Sequence, residues 1–217
     1  MKYTAAKAQS SGAQPARAKS GKVVARKSVP PGEIRIIGGQ YKRTKLPVPD
    51  LPGLRPTPDR VRETLFNWLG QDLSGWRCMD VFAGTGVLGF EAASRGAVDV
   101  TLCEQDAGLV ARLKAVQLKL GADMVKVERG DGVSLLRRQS AGSLQLVFLD
   151  PPFESPLFEP ALKAGAQAIT DTGLIYLEAP TAWTDELLDG YGLKLLRYGK
   201  AGAVHFHLLV RSSPAAA

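Results

Sequence analysis

The residues best suited to chemistry in this chain are Asp150-Pro151-Pro152-Phe153, which directly follow the apolar run from Leu144 to Leu149. Two successive prolines fix an extended turn and remove two backbone donors, so nearby carbonyls stay free as acceptors. An exocyclic amino group needs such acceptors. Two hydrogen bonds orient its lone pair and take up positive charge as a methyl group arrives. Phe153 beside them offers a flat face for a base, a contact worth about 1–3 kcal/mol per base. The bland alternative is a strand-ending turn followed by a core phenylalanine.

A second group lies upstream. In Phe82-Ala83-Gly84-Thr85-Gly86-Val87-Leu88-Gly89 the three glycines match a nucleotide-binding loop, and Glu104 lies twenty residues past Gly84. Glycines let backbone approach a ligand closely, and an acid closing the next strand can accept bonds from ribose hydroxyls. The loop alone fits a nicotinamide dinucleotide as well as S-adenosylmethionine (SAM). Asp80, just before it, favours SAM: a carboxylate there can order the loop and receive the amino-acid end of SAM, whereas it would repel a pyrophosphate. Gln105, directly after Glu104, is expected to line the same cofactor site. Asp131-Gly132 either accepts a bond from the adenine amino group or caps an ordinary helix.

These groups need a scaffold, and a strand–helix alternation supplies one. Strands are expected at Cys78–Phe82, Val100–Cys103, Val125–Val127, Leu144–Leu149 and Leu174–Leu177. Between them, one helix runs through Glu91 to Arg95, and another, capped by Asp106, runs to Gly121. Leu193–Leu196 and Val204–Val210 can form an antiparallel pair. The pattern implies a parallel sheet with helices on both faces, and ligands on such sheets sit at the carboxyl ends of the strands. Ahead of it, Ile34, Ile36 and Ile37 give a short strand ended by Gly38-Gly39, and a connector containing Pro47, Pro49 and Pro52 leads to a helix. There Thr57 is expected as N-cap and Pro58 as the first helical residue. Val61, Leu65, Trp68 and Leu69 would face the core, leaving Arg60, Arg62 and Asn67 on the other side.

Charge points to the partner. The 217 residues carry a net charge of +7, and up to position 45 eleven basic residues face one acid, Glu33. Such a balance favours a polyanion, because phosphate neutralisation releases counterions. Residues 1–32 hold almost no large apolar side chains and read as a disordered basic arm trailing onto RNA. An organelle transit peptide is the lesser reading, since the segment lacks an amphipathic pattern. The two cysteines, Cys78 and Cys103, lie in apolar stretches and read as buried thiols of a reducing compartment. No apolar run approaches the ~18 residues of a membrane span. His205 and His207, in the late strand pair, read as packing or surface.

Several of these segments resemble one family. Asp150 to Phe153 is similar to the (Asp/Asn)-Pro-Pro-(Phe/Tyr) signature of amino-group methyltransferases. Ile34-Arg35-Ile36-Ile37-Gly38-Gly39, the stretch Gly53 to Leu69 containing Arg55-Pro56-Thr57-Pro58-Asp59-Arg60, Asp80 to Gly86 and Leu88 to Ala97 look like the RsmD family. These are bacterial small-subunit ribosomal RNA guanine-N2 methyltransferases. The resemblance runs from about residue 33 to the C-terminus. It implies a class I, Rossmann-like SAM-dependent fold: seven strands, helices on both faces, the last strand antiparallel, and a small N-terminal extension. It also implies guanine 966 of 16S RNA as target, in the small subunit or an assembly intermediate. Two departures stand out: Lys42-Arg43-Thr44 where the family usually has Arg-Gly, and Thr85 where Ser is common.

The expected organisation is a basic arm (1–32), an RNA-docking extension (33–73), the catalytic domain (74–212) and a tail (213–217). SAM would be held by Asp80, Phe82, Ala83, Gly84, Thr85, Gly86, Glu104, Gln105, Asp131 and Gly132. Catalysis would fall to Asp150, Pro151, Pro152 and Phe153. Lys42, Arg43, Arg55, Thr57, Arg60 and Arg62 would contact RNA. The protein is expected to be cytoplasmic, to need no metal or membrane, and to work as a monomer. An amino methyltransferase acting on another RNA, DNA or a protein amide is the alternative.

Overall fold

A computed structural model of the protein describes residues 32–51 and 54–212. The basic arm, Gly32 excepted, and the tail at 213–217 lie outside them. A short hairpin of β1 (Gly32–Arg35) and β2 (Lys45–Val48) precedes α1 (Asp59–Trp68). The main sheet then alternates with helices: β3 (Arg77–Asp80), α2 (Val87–Ser94), β4 (Asp99–Glu104), α3 (Ala107–Leu120), β5 (Val125–Arg129) and α4 (Gly132–Arg137). It continues with β6 (Leu144–Leu149), α5 (Phe158–Ala168), β7 (Ile169–Ala179), α6 (Asp185–Asp189), β8 (Leu193–Ala201) and β9 (Val204–Arg211).

The seven strands lie in the order β5-β4-β3-β6-β7-β9-β8. Pairings from β5 through β7 are parallel, and β9 runs antiparallel to both β7 and β8. Because side chains alternate across a strand, each face gathers its own core. Cys78, Leu146, Phe148 and Tyr176 pack with α1, α2 and α3 on one face. Met79, Val147, Leu149, Ile175 and Leu177 pack with α4, α5 and α6 on the other. From β3 the chain steps outward to β4 and β5, then returns to place β6 on the opposite flank. That reversal opens the crevice between the ends of β3 and β6 where ligands bind in such sheets.

The N-terminal segment departs from expectation in two places. Pro47 lies within β2, opposite Glu33, where the prolines suggest a connector; proline is tolerated in an edge strand because its missing donor faces outward. Pro58, not Thr57, occupies the cap position of α1, and no side chain caps that helix. α1 and the hairpin share the core with the sheet through Ile34, Ile36, Leu46, Val61, Leu65 and Phe66. At α3 the expected devices are present: Asp106 accepts from the Leu109 amide at 2.8 Å, and Gly121 ends the helix left-handed.

Candidate active site

Four parallel strands end in an acid: β3 in Asp80, β4 in Glu104, β6 just before Asp150, and β7 just before its end in Glu178. Strand polarity therefore gathers four carboxylates on one rim of the sheet. Asp80 is buried, and its Oδ2 accepts from the Gly89 amide at 3.2 Å. Loss of water is the main cause that pushes its pKa up to about 7; the Gly89 bond opposes this and the Glu104 and Glu178 charges add to it.

The glycine loop links β3 to α2. Gly86 sits at φ 75, a conformation that disfavours side chains, and a Cβ there would lie 2.9 Å from the Phe90 ring. Glu104 is laid across the loop. Its Oε2 accepts from the Gly84 amide at 3.0 Å, and its Oε1 accepts from the Gln105 and Asp106 amides at 2.7 and 2.9 Å. Thr85 and Ala83 are buried beside it and Phe82 is half-buried. Asp131 caps α4 by accepting from the Ser134 amide at 2.6 Å, and bonds to Ser134 hold its carboxyl below the usual range. Its Oδ2 also meets Gln105 Nε2 at 3.4 Å. Gly132 presses on the Val81 carbonyl, which leaves no room for a Cβ.

Asp150 follows β6 beside this loop. Its carboxyl is pushed well above the ordinary carboxylate range, first by burial and then by the Glu178 and Asp80 charges. Pro151 is buried, Pro152 exposed and Phe153 half-buried. The Pro152 carbonyl accepts from the Ser155 amide at 2.9 Å and from its hydroxyl at 2.6 Å. Among the described residues no loop or side-chain donor occupies the carbonyls of Asp150 and Pro151, and none reaches the Asp150 carboxyl. Among the described residues the turn thus keeps these oxygens available as acceptors, and Phe153 follows them directly in the chain.

Glu178 is the functional candidate that the sequence reading missed. Its Oε1 accepts from the Thr57 hydroxyl and the Tyr176 hydroxyl, both at 2.8 Å, and burial raises its pKa. The signal was available: an acid closing an apolar strand, as at Glu104.

Two expected RNA contacts are instead buried. Thr57 is spent on Glu178 and is 3% exposed. Arg62 is 0% exposed; its guanidinium bonds Glu91 Oε1, Asp59 Oδ1 at 2.6 Å, and the carbonyls of Thr57 and Arg35 at 3.1 and 2.8 Å. The other Glu91 oxygen pairs with Arg95. A guanidinium offers five donors in a fixed fork, which lets one side chain tie α1, the hairpin and α2 together. Arg55 and Arg60 are exposed, as are Lys42 and Arg43. The turn carrying Lys42 and Arg43 docks on the last residue of α2, where the Gln40 and Tyr41 amides bond Ser94. Lys42 there lines a cleft of about 370 Å³ with Glu63, Asn67 and Gln71, further along α1 than Arg60.

His207 is buried, accepting from the Trp183 amide at Nε2 and donating from Nδ1 to the Leu177 carbonyl, so it packs neutral. Both cysteines are buried thiols whose pKa burial pushes far up. Among the described residues no group of His, Cys, Asp and Glu is placed to hold a metal ion, and no helix is long and apolar enough to cross a membrane.

A sequence family described as conserved hypothetical protein 95 matches residues 34–210. The chain belongs to this family. This is the RsmD family that the N-terminal and strand-end motifs resembled. The protein named ribosomal RNA small subunit methyltransferase D from Haemophilus influenzae is 39% identical over 182 residues, covering 82% of this chain and 93% of its own length. Its namesake from Escherichia coli (strain K12) is 45% identical over 150 residues, 68% of this chain and 75% of its own. The solved structure of a putative methyltransferase from Escherichia coli matches with a TM-score of 0.69 at 40% identity, covering 84% of this chain and 99% of that one. Precorrin-6y C5,15-methyltransferase from Geobacter metallireducens, at 17% identity and a TM-score of 0.59, shares the fold. As an RsmD family member the chain is a methyltransferase with a class I fold.

Proposed function

We propose that the protein transfers a methyl group from SAM to the exocyclic N2 of a guanine in small-subunit ribosomal RNA, guanine 966 being the position the family resemblance implies. One observation carries this reading: the Asp150 and Pro151 oxygens, without a loop or side-chain donor among the described residues, stand at the end of β6, the strand paired with β3, from which the glycine loop leaves. An amine acceptor and a nucleoside cradle thus share one crevice.

The rim residues fit SAM by their chemistry. SAM brings an ammonium group, two ribose hydroxyls and an adenine amine, all donors, and the rim supplies Asp80, Glu104, Asp131 and Gln105. Asp80 would take the amino-acid end, Glu104 the ribose and Asp131 the adenine amine. The backbone from Phe82 to Gly86, with Gly132 opposite, forms the cradle. SAM supplies a methyl carried on a cationic sulfur. Everything else falls to this chain's groups. Asp150 and the Pro151 carbonyl accept from the two N–H groups of the guanine amine and aim its lone pair. Phe153 stacks on the flipped base, which must leave its helix to enter the crevice. As the nitrogen becomes cationic, the acceptors tighten, and the Asp150 carboxylate, which already accepts one of its N–H groups, would take the proton. Positioning the amine in line with the methyl accounts for most of the acceleration.

Residues 33–73 serve docking in this scheme, with Arg55 and Arg60 on RNA phosphates near the site and Lys42 and Arg43 further out; 74–212 carry the chemistry. An RNA substrate inside the small subunit or its assembly intermediate makes the enzyme cytoplasmic and lets a monomer suffice. The test is to incubate the protein with radiolabelled SAM and small-subunit particles lacking the modification. Label in the RNA supports the proposal; label only on protein, or none, overturns it.

A further inference from the structure

A second cleft, of about 380 Å³, opens between α1 and the β8–β9 hairpin, a volume within the ~300–1,000 Å³ usual for small organic ligands. Arg60, Thr64 and Trp68 of α1 line one side, and Tyr198 to Ala201 of β8, with Gly202 of the turn and Phe206 of β9, line the other.

Its position relative to the crevice is fixed by register. Ala179, the last residue of β7, pairs with His205 of β9, which pairs with Lys200 of β8. The hairpin turn beyond them therefore projects from the same rim as Asp150. β8 is three strand spacings from β6, about 14 Å at ~4.8 Å per spacing. α1 is registered to that rim as well, because the Thr57 hydroxyl bonds Glu178 at 2.8 Å, one turn before Arg60.

Its chemistry suits an anion with a flat group. No residue lining it is acidic. Arg60 and Lys200 are exposed and make no ion pair among the described residues. β8 carries Lys194, Arg197 and Lys200 and no acid. Trp68 and Phe206 stack with ring centroids 5.3 Å apart, making an aromatic floor. Gly199 lies under the Phe206 ring, which occupies the space a side chain at that position would need. β8 is also the sheet edge. Its first half is covered where Asp185 accepts from the Leu195 amide at 2.7 Å. The second half, beside the cleft, offers edge backbone groups to a partner.

We infer that this cleft is a subsite for an unpaired nucleotide of the RNA strand next to the methylated guanine, with Arg60 and Lys200 on its phosphate and its base over Trp68. Single-stranded RNA is held in this way, by cations along the backbone and aromatic platforms for the bases. The inference rests on the proposed RNA substrate and adds where the neighbouring nucleotide goes.

Three variants test it: Arg60→Glu, Lys200→Glu, and Thr64→Phe, which fills the cleft. Methylation of small-subunit particles lacking the modification is followed as a function of particle concentration, with SAM affinity by calorimetry reporting the fold. The expected result is a KM for particles raised roughly ten-fold or more while kcat and SAM affinity stay within about two-fold, the pattern of weakened binding with intact chemistry. Arg60→Glu and Lys200→Glu should also flatten the salt dependence of RNA binding, by ~0.7 in log–log slope for each phosphate left without its cation. Unchanged KM and slope in Lys200→Glu, whose side chain is exposed, would overturn the subsite while leaving the proposed function standing. A wild-type enzyme that labels protein and no RNA would overturn both.

Discussion

Replacing Arg62 by alanine separates a structural arginine from an RNA-binding one. The guanidinium is wholly buried and contacts two carboxylates and two backbone carbonyls. Its removal strands the Thr57 and Arg35 carbonyls and leaves Glu91, also 0% exposed, with Arg95 as its remaining cation. Breaking a buried pair by deleting one partner costs about 3–5 kcal/mol, because the survivor's missing hydration is no longer offset. For a domain of this size each kcal/mol moves Tm by ~2–4 °C, so the midpoint should fall by roughly 10 °C. Arg62→Lys keeps the charge but cannot span four acceptors, and should recover only part of the loss. Urea unfolding of both variants, with the m-value checked for constancy, measures this. RNA binding, measured well below the new midpoint, should stay near wild type. A loss under about 1 kcal/mol, joined to a clear fall in RNA affinity, would refute the network and return Arg62 to the docking surface.

Glu104→Ala should weaken SAM binding about ten- to hundredfold by calorimetry, and an unchanged affinity would remove Glu104 from the cofactor site. Asp150→Ala should lower kcat far more than SAM affinity, since its acceptor counts most as the amine becomes cationic. Phe153→Leu keeps volume but loses the stacking face; normal turnover on ribosomal substrate would show that Phe153 only packs. Asp80 has its pKa raised from 3.8 to about 7 in the folded state, so folding takes up a proton between those values. Its contribution to stability is complete below about 3.8 and lost as pH rises through about 7. Asp80→Asn should therefore gain stability over wild type from pH 5 to about 7 in urea titrations and level off above it, and a constant difference from pH 5 to 8 would show that Asp80 titrates normally.

The parallel core was readable because strands buried on both faces leave nearly unbroken apolar runs, as in Leu144–Leu149, and an acid at the end of each run marks the ligand rim. Asp80, Glu104 and Asp150 emerge from that logic, and Glu178 obeys it too, one residue past the apolar run that ends at Leu177. What sequence spacing hid was long-range. Arg62 sits beside the apolar stripe of α1, and its decisive partner, Glu91, is 29 residues away, so helical periodicity alone placed it in solvent. Thr57 looked like a cap because residue type and following proline fit one; its partner Glu178 is 121 residues on. The place of Lys42 and Arg43 was hidden in the same way: the β1–β2 turn that carries them docks on the end of α2, through Ser94 contacts 53 and more residues apart.

The most direct measurement is the identity of the methylated nucleoside. Small-subunit particles lacking the modification are treated with SAM and either wild-type protein or Asp150→Ala, and the RNA is digested and resolved by mass spectrometry. N2-methylguanosine should form at one position with wild type, and at a rate lower by orders of magnitude with Asp150→Ala. A methyl group on a ring nitrogen, on another base, or on N2 at equal rates with both proteins would contradict the amine-acceptor role of the Asp150-Pro151 turn.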